Sequence, residues 1–141
     1  MTDTARKILL VEDEALNRTL VKAVLTRAQI EAVRDAEVID ADSLAAAREQ
    51  LSNQDIDLVL LDMNLPDGSG LSLARELVSD DVRSGRRRPV VVAVTASVLP
   101  QDRAAAIEAG CDGFLDKPYA AADLVAIVAE HLHGGGVAVR A

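Results

Sequence analysis

Five short apolar runs, separated by segments with helical spacing, constrain the fold of this 141-residue chain more than any other feature. They lie at residues 8–11, 38–40, 58–61, 90–94 and 113–115. Most are continuously apolar rather than alternating, which is typical of strands that are covered on both faces. Between them, apolar residues recur three and four positions apart, as they do on one side of a helix. The pattern predicts an α/β domain.

Strands that alternate with helices form a parallel sheet with helices packed on both faces. We therefore predict a (βα)5 flavodoxin-like three-layer sandwich with a five-stranded parallel sheet in the order 2-1-3-4-5. Pro100 and Gly110 are expected to begin and end the fourth helix, and Ser43 to cap the second. One domain is expected over residues 7–133, with an N-terminal tail over residues 1–6 and a flexible C-terminal tail over residues 134–141.

Composition excludes several classes of function. The formal net charge of -8 opposes non-specific binding to nucleic acid and to anionic membranes. The sequence contains no Trp, one Tyr and one Phe, which leaves few stacking platforms for single-stranded nucleic acid. A single cysteine, Cys111, forms no internal disulfide, and no apolar run is long enough for a signal peptide or a membrane span. We expect a cytoplasmic protein that binds neither nucleic acid by itself nor membranes.

Charged side chains follow three of the predicted strands. Glu12 and Asp13 follow the first strand, Asp62 the third and Lys117 the fifth. In the predicted order the first and third strands are neighbours, and ligands bind at their carboxyl ends. Asp13 and Asp62 should therefore meet in one acidic pocket, where their oxygens hold a divalent cation and Lys117 neutralises a phosphoryl group. This arrangement makes Asp62 a candidate for a covalently phosphorylated nucleophile.

Four segments, in order and over nearly the whole chain, resemble the receiver domains of bacterial two-component response regulators, the CheY-like domains. Residues 8–14 are similar to the strand and acidic pair of that family, and residues 61–70 to its phosphoacceptor strand and loop. Residues 93–96 are similar to its switch-threonine segment, and residues 113–118 to its lysine–proline strand end. The resemblance implies a receiver domain over residues 7–133 that acts in a two-component system or a phosphorelay.

The resemblance also implies a role for each residue of the acidic pocket. Asp62 would attack the phosphorus of a phosphohistidine and become an aspartyl phosphate. Mg²⁺ would be bound by Asp13, by Asp62 and by the backbone carbonyl of Asn64, with Glu12 acting through a water molecule. Lys117 would pair with a phosphoryl oxygen. Such a protein catalyses only its own phosphorylation and dephosphorylation, and is not otherwise an enzyme.

A conformational switch is the second implication. The hydroxyl of Thr95 would donate a hydrogen bond to the phosphoryl group, and Phe114 would move inward in response. This movement would alter the face formed by the fourth helix, the fifth strand and the fifth helix. The peptide bond between Lys117 and Pro118 is expected to be cis. The expected partners are a histidine kinase or histidine phosphotransfer protein and an unknown downstream protein. A dimer formed through the altered face is a further option.

Alternatives remain open at this point. A lone aspartate after a strand is more often a loop or capping residue than a nucleophile, and Phe114 fits an ordinary core aromatic equally well. The protein could be a pseudo-receiver that binds proteins without being phosphorylated. A haloacid-dehalogenase-type aspartyl phosphatase would need its nucleophile on the first strand and an acid where this chain has Asn64. The sequence is compatible with a stand-alone regulator and with the receiver part of a hybrid kinase.

Overall fold

The computed structural model describes residues 6–79, 88–96 and 99–137, which form a parallel sheet with helices on both faces. The sheet strands are β1 (Lys7–Val11), β2 (Glu37–Ala41), β3 (Leu58–Asp62), β4 (Val90–Thr95) and β5 (Gly113–Asp116). Within the described part of the chain their order is β2-β1-β3-β4-β5, and all pairs are parallel. The predicted flavodoxin-like order is confirmed.

The long helices follow the strands in turn. They are α1 (Ala15–Thr26), α2 (Leu44–Asn53), α3 (Gly70–Ser79), α4 (Pro100–Ala109) and α5 (Ala121–Val137). Two shorter features were not predicted. One is the single-turn helix Glu31–Arg34, and the other is an antiparallel hairpin of Asn64–Leu65 with Gly68–Ser69, between β3 and α3.

The sheet separates two apolar cores, because successive residues of a strand point to opposite faces. Leu9 and Val11 of β1 pack on the face covered by α2, α3 and α4. Ile8 and Leu10 of the same strand pack on the face covered by α1 and α5. Every residue of β3 is buried, as expected of a central strand that both layers cover.

Helix boundaries follow the predicted signals at α2 and α4. The side chain of Ser43 accepts a hydrogen bond from the backbone N–H of Ala46 at 3.1 Å, so it caps α2. Pro100 begins α4, where its missing N–H has no intrahelical partner to lose. Gly110 ends α4 with φ +106°, and a Cβ atom there would lie 2.5 Å from Cγ2 of Val78. The site therefore needs glycine both for its backbone conformation and for its close packing.

Two predicted domain boundaries differ from the structure. Helix α5 continues to Val137, so residues 134–137 are helical where a flexible tail was predicted. The three glycines of this segment have low helix propensity but do not end the helix. At the other end, the carbonyl of Arg6 accepts a hydrogen bond from the N–H of Glu37 at 2.8 Å, which attaches a predicted tail residue to the sheet. Residues 1–5 and 138–141 lie outside the described residues.

Among the helices described, none is both long enough and apolar enough to cross a membrane.

The packing of α1 predicts that substitutions on its buried and exposed sides differ in their effect on the free energy of unfolding. Leu25 of α1 is fully buried, whereas Leu20 on the same helix is 53% exposed. Leu25→Ala should lower the free energy of unfolding by about 2–5 kcal/mol, because it removes buried methyl groups and leaves a cavity. Leu20→Ala should change it by less than about 0.5 kcal/mol. Urea denaturation of both variants measures the difference, and equal losses would contradict the assignment of the α1 packing face.

Candidate functional site

Three carboxylates converge where β1 and β3 end. Val11 is opposite Leu61 in the parallel register, so both strands deliver their next residues to the same edge of the sheet. Glu12, Asp13 and Asp62 each offer an oxygen, and these oxygens lie within 4.8 Å of one another. Asp13 is exposed, whereas Glu12 and Asp62 are each only 6% exposed. The structure thus brings together the acidic residues predicted from the sequence.

Hydrogen bonds fix the two buried carboxylates. Oε2 of Glu12 accepts from the N–H of Glu14 at 3.0 Å, and the N–H of Glu12 donates to the carbonyl of Ala41 at 2.9 Å. Oδ1 of Asp62 accepts from the N–H of Asn64 at 3.1 Å. Because one oxygen of Asp62 is held by the backbone, its orientation is set before any ligand arrives.

Lys117 supplies the positive charge of the site. It follows β5, and its Nζ lies 3.4 Å from Oδ2 of Asp62 and 3.6 Å from Oε1 of Glu12. Burial opposes the charge on the lysine, but the carboxylates of Asp62 and Glu12 outweigh it and hold the pKa of Lys117 above its ordinary value. The peptide bond between Lys117 and Pro118 is cis, which is the geometry that the resemblance implies.

The two predicted switch residues lie on adjacent strands. Thr95 ends β4, and its carbonyl accepts a hydrogen bond from the N–H of Lys117 at 2.8 Å. Phe114 of β5 is half-buried rather than enclosed, and the guanidinium of Arg103 lies 4.9 Å from its ring centroid. Phe114 and Thr95 both line a cavity of about 280 Å³, together with Asn64 of the hairpin. The two switch residues therefore line the same cavity, which reaches the hairpin residue next but one to Asp62.

Three residues near the site were not anticipated from the sequence. Arg18 of α1 donates from Nη1 to the carbonyl of Glu12 at 2.8 Å, and Asp67 of the hairpin accepts from the N-terminus of α2. Tyr119 is half-buried beside Lys117, and burial raises the pKa of its hydroxyl, against the opposing effect of the Lys117 charge. Asp67 is the middle residue of Pro66-Asp67-Gly68, a turn signal that could have indicated a capping role.

The donor chemistry of the cluster fits a hard divalent cation. Carboxylate oxygens are the ligands that Mg²⁺ prefers in proteins, usually one or two of them with several waters. Asp13 and Asp62 offer such oxygens, and the exposure of Asp13 leaves the cluster open to solvent on one side. Lys117 balances only part of the charge of the three carboxylates, so the cluster keeps a net negative charge that attracts a cation.

Cys111 lies away from this cluster. It is buried in the core, and burial raises the pKa of its thiol to about 11. A thiol in this state is protonated at neutral pH and is a poor nucleophile.

Comparisons with known proteins place the similarity over nearly all of the chain. The response regulator receiver domain family matches residues 8–129. The phosphate regulon transcriptional regulatory protein PhoB of Escherichia coli is 37% identical over 122 residues, which are 86% of this chain and 49% of PhoB. The aerobic respiration control sensor protein ArcB of the same organism is 37% identical over 124 residues, which are 88% of this chain and 15% of ArcB. The chain thus spans about half the length of PhoB and less of ArcB.

Solved structures agree on the fold. The signal receiver domain of a LuxO repressor protein from Vibrio parahaemolyticus has a TM-score of 0.83 at 24% identity, with 96% of this chain and 95% of that chain covered. The receiver domain of the sensor histidine kinase PA1611 from Pseudomonas aeruginosa has a TM-score of 0.75 at 29% identity, with 92% and 98% covered. The PA1611 structure holds a magnesium ion coordinated in its active site cleft.

The geometry around Lys117 predicts a stability effect that does not depend on any ligand. In buffer with EDTA, Lys117→Ala should lower the free energy of unfolding by about 1–2 kcal/mol, because it leaves the buried carboxylates of Asp62 and Glu12 without their nearby cation. Lys22→Ala is the control, since its Nζ pairs with Oδ2 of Asp40 at 2.9 Å in a more exposed setting. That variant should lose less than about 0.5 kcal/mol. Chemical denaturation checks both values, and an unchanged or more stable Lys117 variant would contradict the prediction.

Proposed function

This chain belongs to the response regulator receiver domain family, and from that premise we propose that it accepts a phosphoryl group on Asp62 and transmits the event through a change in its surface. As a receiver domain of a two-component system it is a signalling module rather than an enzyme that turns over a metabolite. The observation that carries the proposal is the position of Asp62. Its buried carboxylate lies within 4.8 Å of the oxygens of Glu12 and Asp13 and 3.4 Å from Nζ of Lys117.

The chain's own residues prepare the transfer. One oxygen of Asp62 is held by the N–H of Asn64, and the other lies beside Nζ of Lys117. A lone pair of the carboxylate forms the new O–P bond as the P–N bond of a phosphohistidine breaks. The electrons of that bond return to the imidazole nitrogen. The product is an aspartyl phosphate, and attack of water on its phosphorus returns the carboxylate and inorganic phosphate.

Asp13, Asp62 and the backbone carbonyl of Asn64 would hold a magnesium ion, with Glu12 reaching it through a water molecule. The close grouping of the three carboxylates supports this assignment, as does the magnesium ion in the PA1611 receiver domain. When bound, the ion offsets the negative charge of the phosphoryl oxygens during the transfer.

Lys117 and Thr95 would recognise the phosphorylated state. Lys117 already lies within 3.4 Å of the proposed acceptor, so its ammonium group can exchange a carboxylate oxygen for a phosphoryl oxygen with little movement. The hydroxyl of Thr95 would donate to the same group. Phe114 would then enter the cavity that it shares with Thr95 and alter the face formed by α4, β5 and α5.

Partners follow from this chemistry. The donor would be a histidine kinase or a histidine phosphotransfer protein, and ArcB and a hybrid histidine kinase of Dictyostelium discoideum are among the relatives. Exposed Leu16 and Leu20 of α1 follow Asp13 and offer an apolar surface near the site. On the output side, Leu99 and Ile107 are exposed at α4, where a downstream protein or a second copy of the chain would bind.

Phosphorylation of Asp62 is tested directly by incubating the protein with acetyl phosphate and measuring the intact mass. The protein should gain one phosphoryl group in the presence of Mg²⁺ and none in EDTA. Asp62→Asn should abolish the gain, because an amide oxygen cannot replace the nucleophilic carboxylate. Asp42→Asn is the matched control, since Asp42 is exposed and outside the carboxylate cluster, and it should be labelled like the wild type.

An absence of labelling from both acetyl phosphate and a phosphorylated histidine phosphotransfer protein would favour the pseudo-receiver. Labelling that persists in Asp62→Asn would place the acceptor elsewhere.

Replacing Lys117 is expected to abolish the conformational switch while leaving metal binding nearly unchanged. Lys117→Ala should leave Mg²⁺ affinity within about threefold of the wild type, because the lysine contributes no metal ligand. The same variant should lose the change in the amide NMR signals of Thr95 and Phe114 that follows incubation with acetyl phosphate and Mg²⁺. Lys22→Ala should keep both properties. A wild-type-like change in the Lys117 variant would show that the lysine does not transmit the signal.

A further inference from the structure

The hairpin that carries Asn64 is attached to helix α2 by hydrogen bonds. Asp67, at the tip of the hairpin, accepts two backbone hydrogen bonds from the first turn of α2. Its Oδ1 accepts from the N–H of Leu44 at 2.8 Å, and its Oδ2 accepts from the N–H of Ala45 at 3.1 Å. A capping side chain normally lies next to its helix in sequence, but Asp67 is 22 and 23 positions away.

Helix α2 has a second capping residue of its own. Ser43 accepts from the N–H of Ala46, so two side chains divide the free N–H groups of the first turn between them. The local cap is the side chain that helix formation requires. Asp67 satisfies the N–H groups of Leu44 and Ala45, and because it lies on the hairpin the same two bonds also hold the hairpin against α2.

The hairpin is fixed at its base as well as at its tip. At the base, the N–H of Asn64 donates to Oδ1 of Asp62, and the N–H of Gly70 donates to the carbonyl of Met63 at 3.0 Å. Asn64 and Leu65 pair with Ser69 and Gly68 in between. A short strand held at both ends keeps its carbonyl groups in one direction.

Packing at the tip leaves little room for the hairpin to move. Gly68 has φ +143°, and a Cβ atom there would lie 3.0 Å from Cδ1 of Leu44. Arg48 of α2 binds Glu76 of α3 through two hydrogen bonds of 2.7 Å, which ties the helix to the element that follows the hairpin. The hydrogen bond from Leu44 also lowers the pKa of the Asp67 carboxyl, which is ionised at neutral pH.

We propose that Asp67 is a positioning residue for the cation site: by bonding the N-terminus of α2 from the tip of the hairpin, it holds the backbone carbonyl of Asn64 in the direction needed to bind a divalent cation. This inference rests on the proposed function, which assigns that carbonyl to the cation. It assigns a role in cation binding to Asp67, which contacts neither the cation nor the phosphoryl group.

The coupling is reciprocal, because two linked equilibria change each other by the same factor. If a fixed hairpin favours Mg²⁺ binding, bound Mg²⁺ must favour the fixed hairpin. The N–H groups of Leu44 and Ala45 should therefore exchange with solvent deuterium more slowly when Mg²⁺ is present. An Asp67 that only stabilises the helix would give no such response.

The test compares three variants of the full chain by NMR titration with Mg²⁺. Asp67→Ala should weaken Mg²⁺ binding by about three- to tenfold, at the lower end of the effects known for residues that orient metal ligands. Ser43→Ala removes the other cap of the same helix and should bind Mg²⁺ like the wild type. Asp67→Asn keeps one acceptor oxygen and so only one of the two hydrogen bonds. It should weaken Mg²⁺ binding less than Asp67→Ala does.

Deuterium exchange in the same samples provides a second measurement, which does not depend on the Mg²⁺ affinity. Mg²⁺ should slow exchange at both Leu44 and Ala45 in the wild type, and at the one of them that keeps its hydrogen bond in Asp67→Asn. The slowing at Ala45 should disappear in Asp67→Ala. It should persist in Ser43→Ala, although that variant has lost a helix cap as well.

The outcomes separate this inference from the function on which it rests. A wild-type protein that binds no Mg²⁺ would overturn the proposed function and the inference together. Equal affinities in the wild type and in Asp67→Ala would overturn the inference alone, as would equal weakening in Asp67→Ala and Ser43→Ala. A loss in Asp67→Asn as large as that in Asp67→Ala would show that the retained hydrogen bond does not hold the hairpin for the cation, and would also overturn it.

Discussion

The arrangement around Lys117 is the interaction on which the rest of the site depends. Two carboxylates, those of Glu12 and Asp62, are buried side by side, and burial of like charges is unfavourable unless a cation is near. Nζ of Lys117 lies within 4 Å of both and stabilises them in part. The exposed carboxylate of Asp13 leaves a surplus of negative charge. The site is therefore stable enough to fold and still attracts another cation, which is the condition for a binding site that is already formed.

Much of this arrangement could be predicted from the sequence, because it depends on strand order. Residues that follow parallel strands are brought to one edge of the sheet, and the order 2-1-3-4-5 places the exits of β1 and β3 side by side. Asp13, Asp62 and Lys117 were found in this way. Arg18 and Asp67 were not, since their contacts join elements whose relative positions depend on packing. The extent of α5 was not predicted, because the helix continues through three successive glycines of low helix propensity.

The sheet also connects the charged site to the proposed switch. The carbonyl of Thr95 binds the N–H of Lys117, and Phe114 lies two residues before Asp116, which pairs with Thr95 across β4 and β5. A displacement of Thr95 towards a phosphoryl group therefore acts on the strand that carries the aromatic ring. No long chain of side chains is required, since neighbouring backbones carry the coupling.

The energies involved decide whether such a switch can be driven. Arg103 lies over the ring of Phe114 and also forms an ion pair with Asp116, so an inward movement of the ring would cost its contact with Arg103. An exposed cation–π contact is worth about 0.5–1 kcal/mol, and an exposed ion pair about as much or less. A hydrogen bond from Thr95 to a charged phosphoryl group would contribute up to about 1.5–3 kcal/mol, whereas Lys117 would exchange one anionic oxygen for another. The proposed phosphorylation would thus supply free energy comparable to or larger than that of the Arg103 contact, and the ring has a cavity beside it to enter.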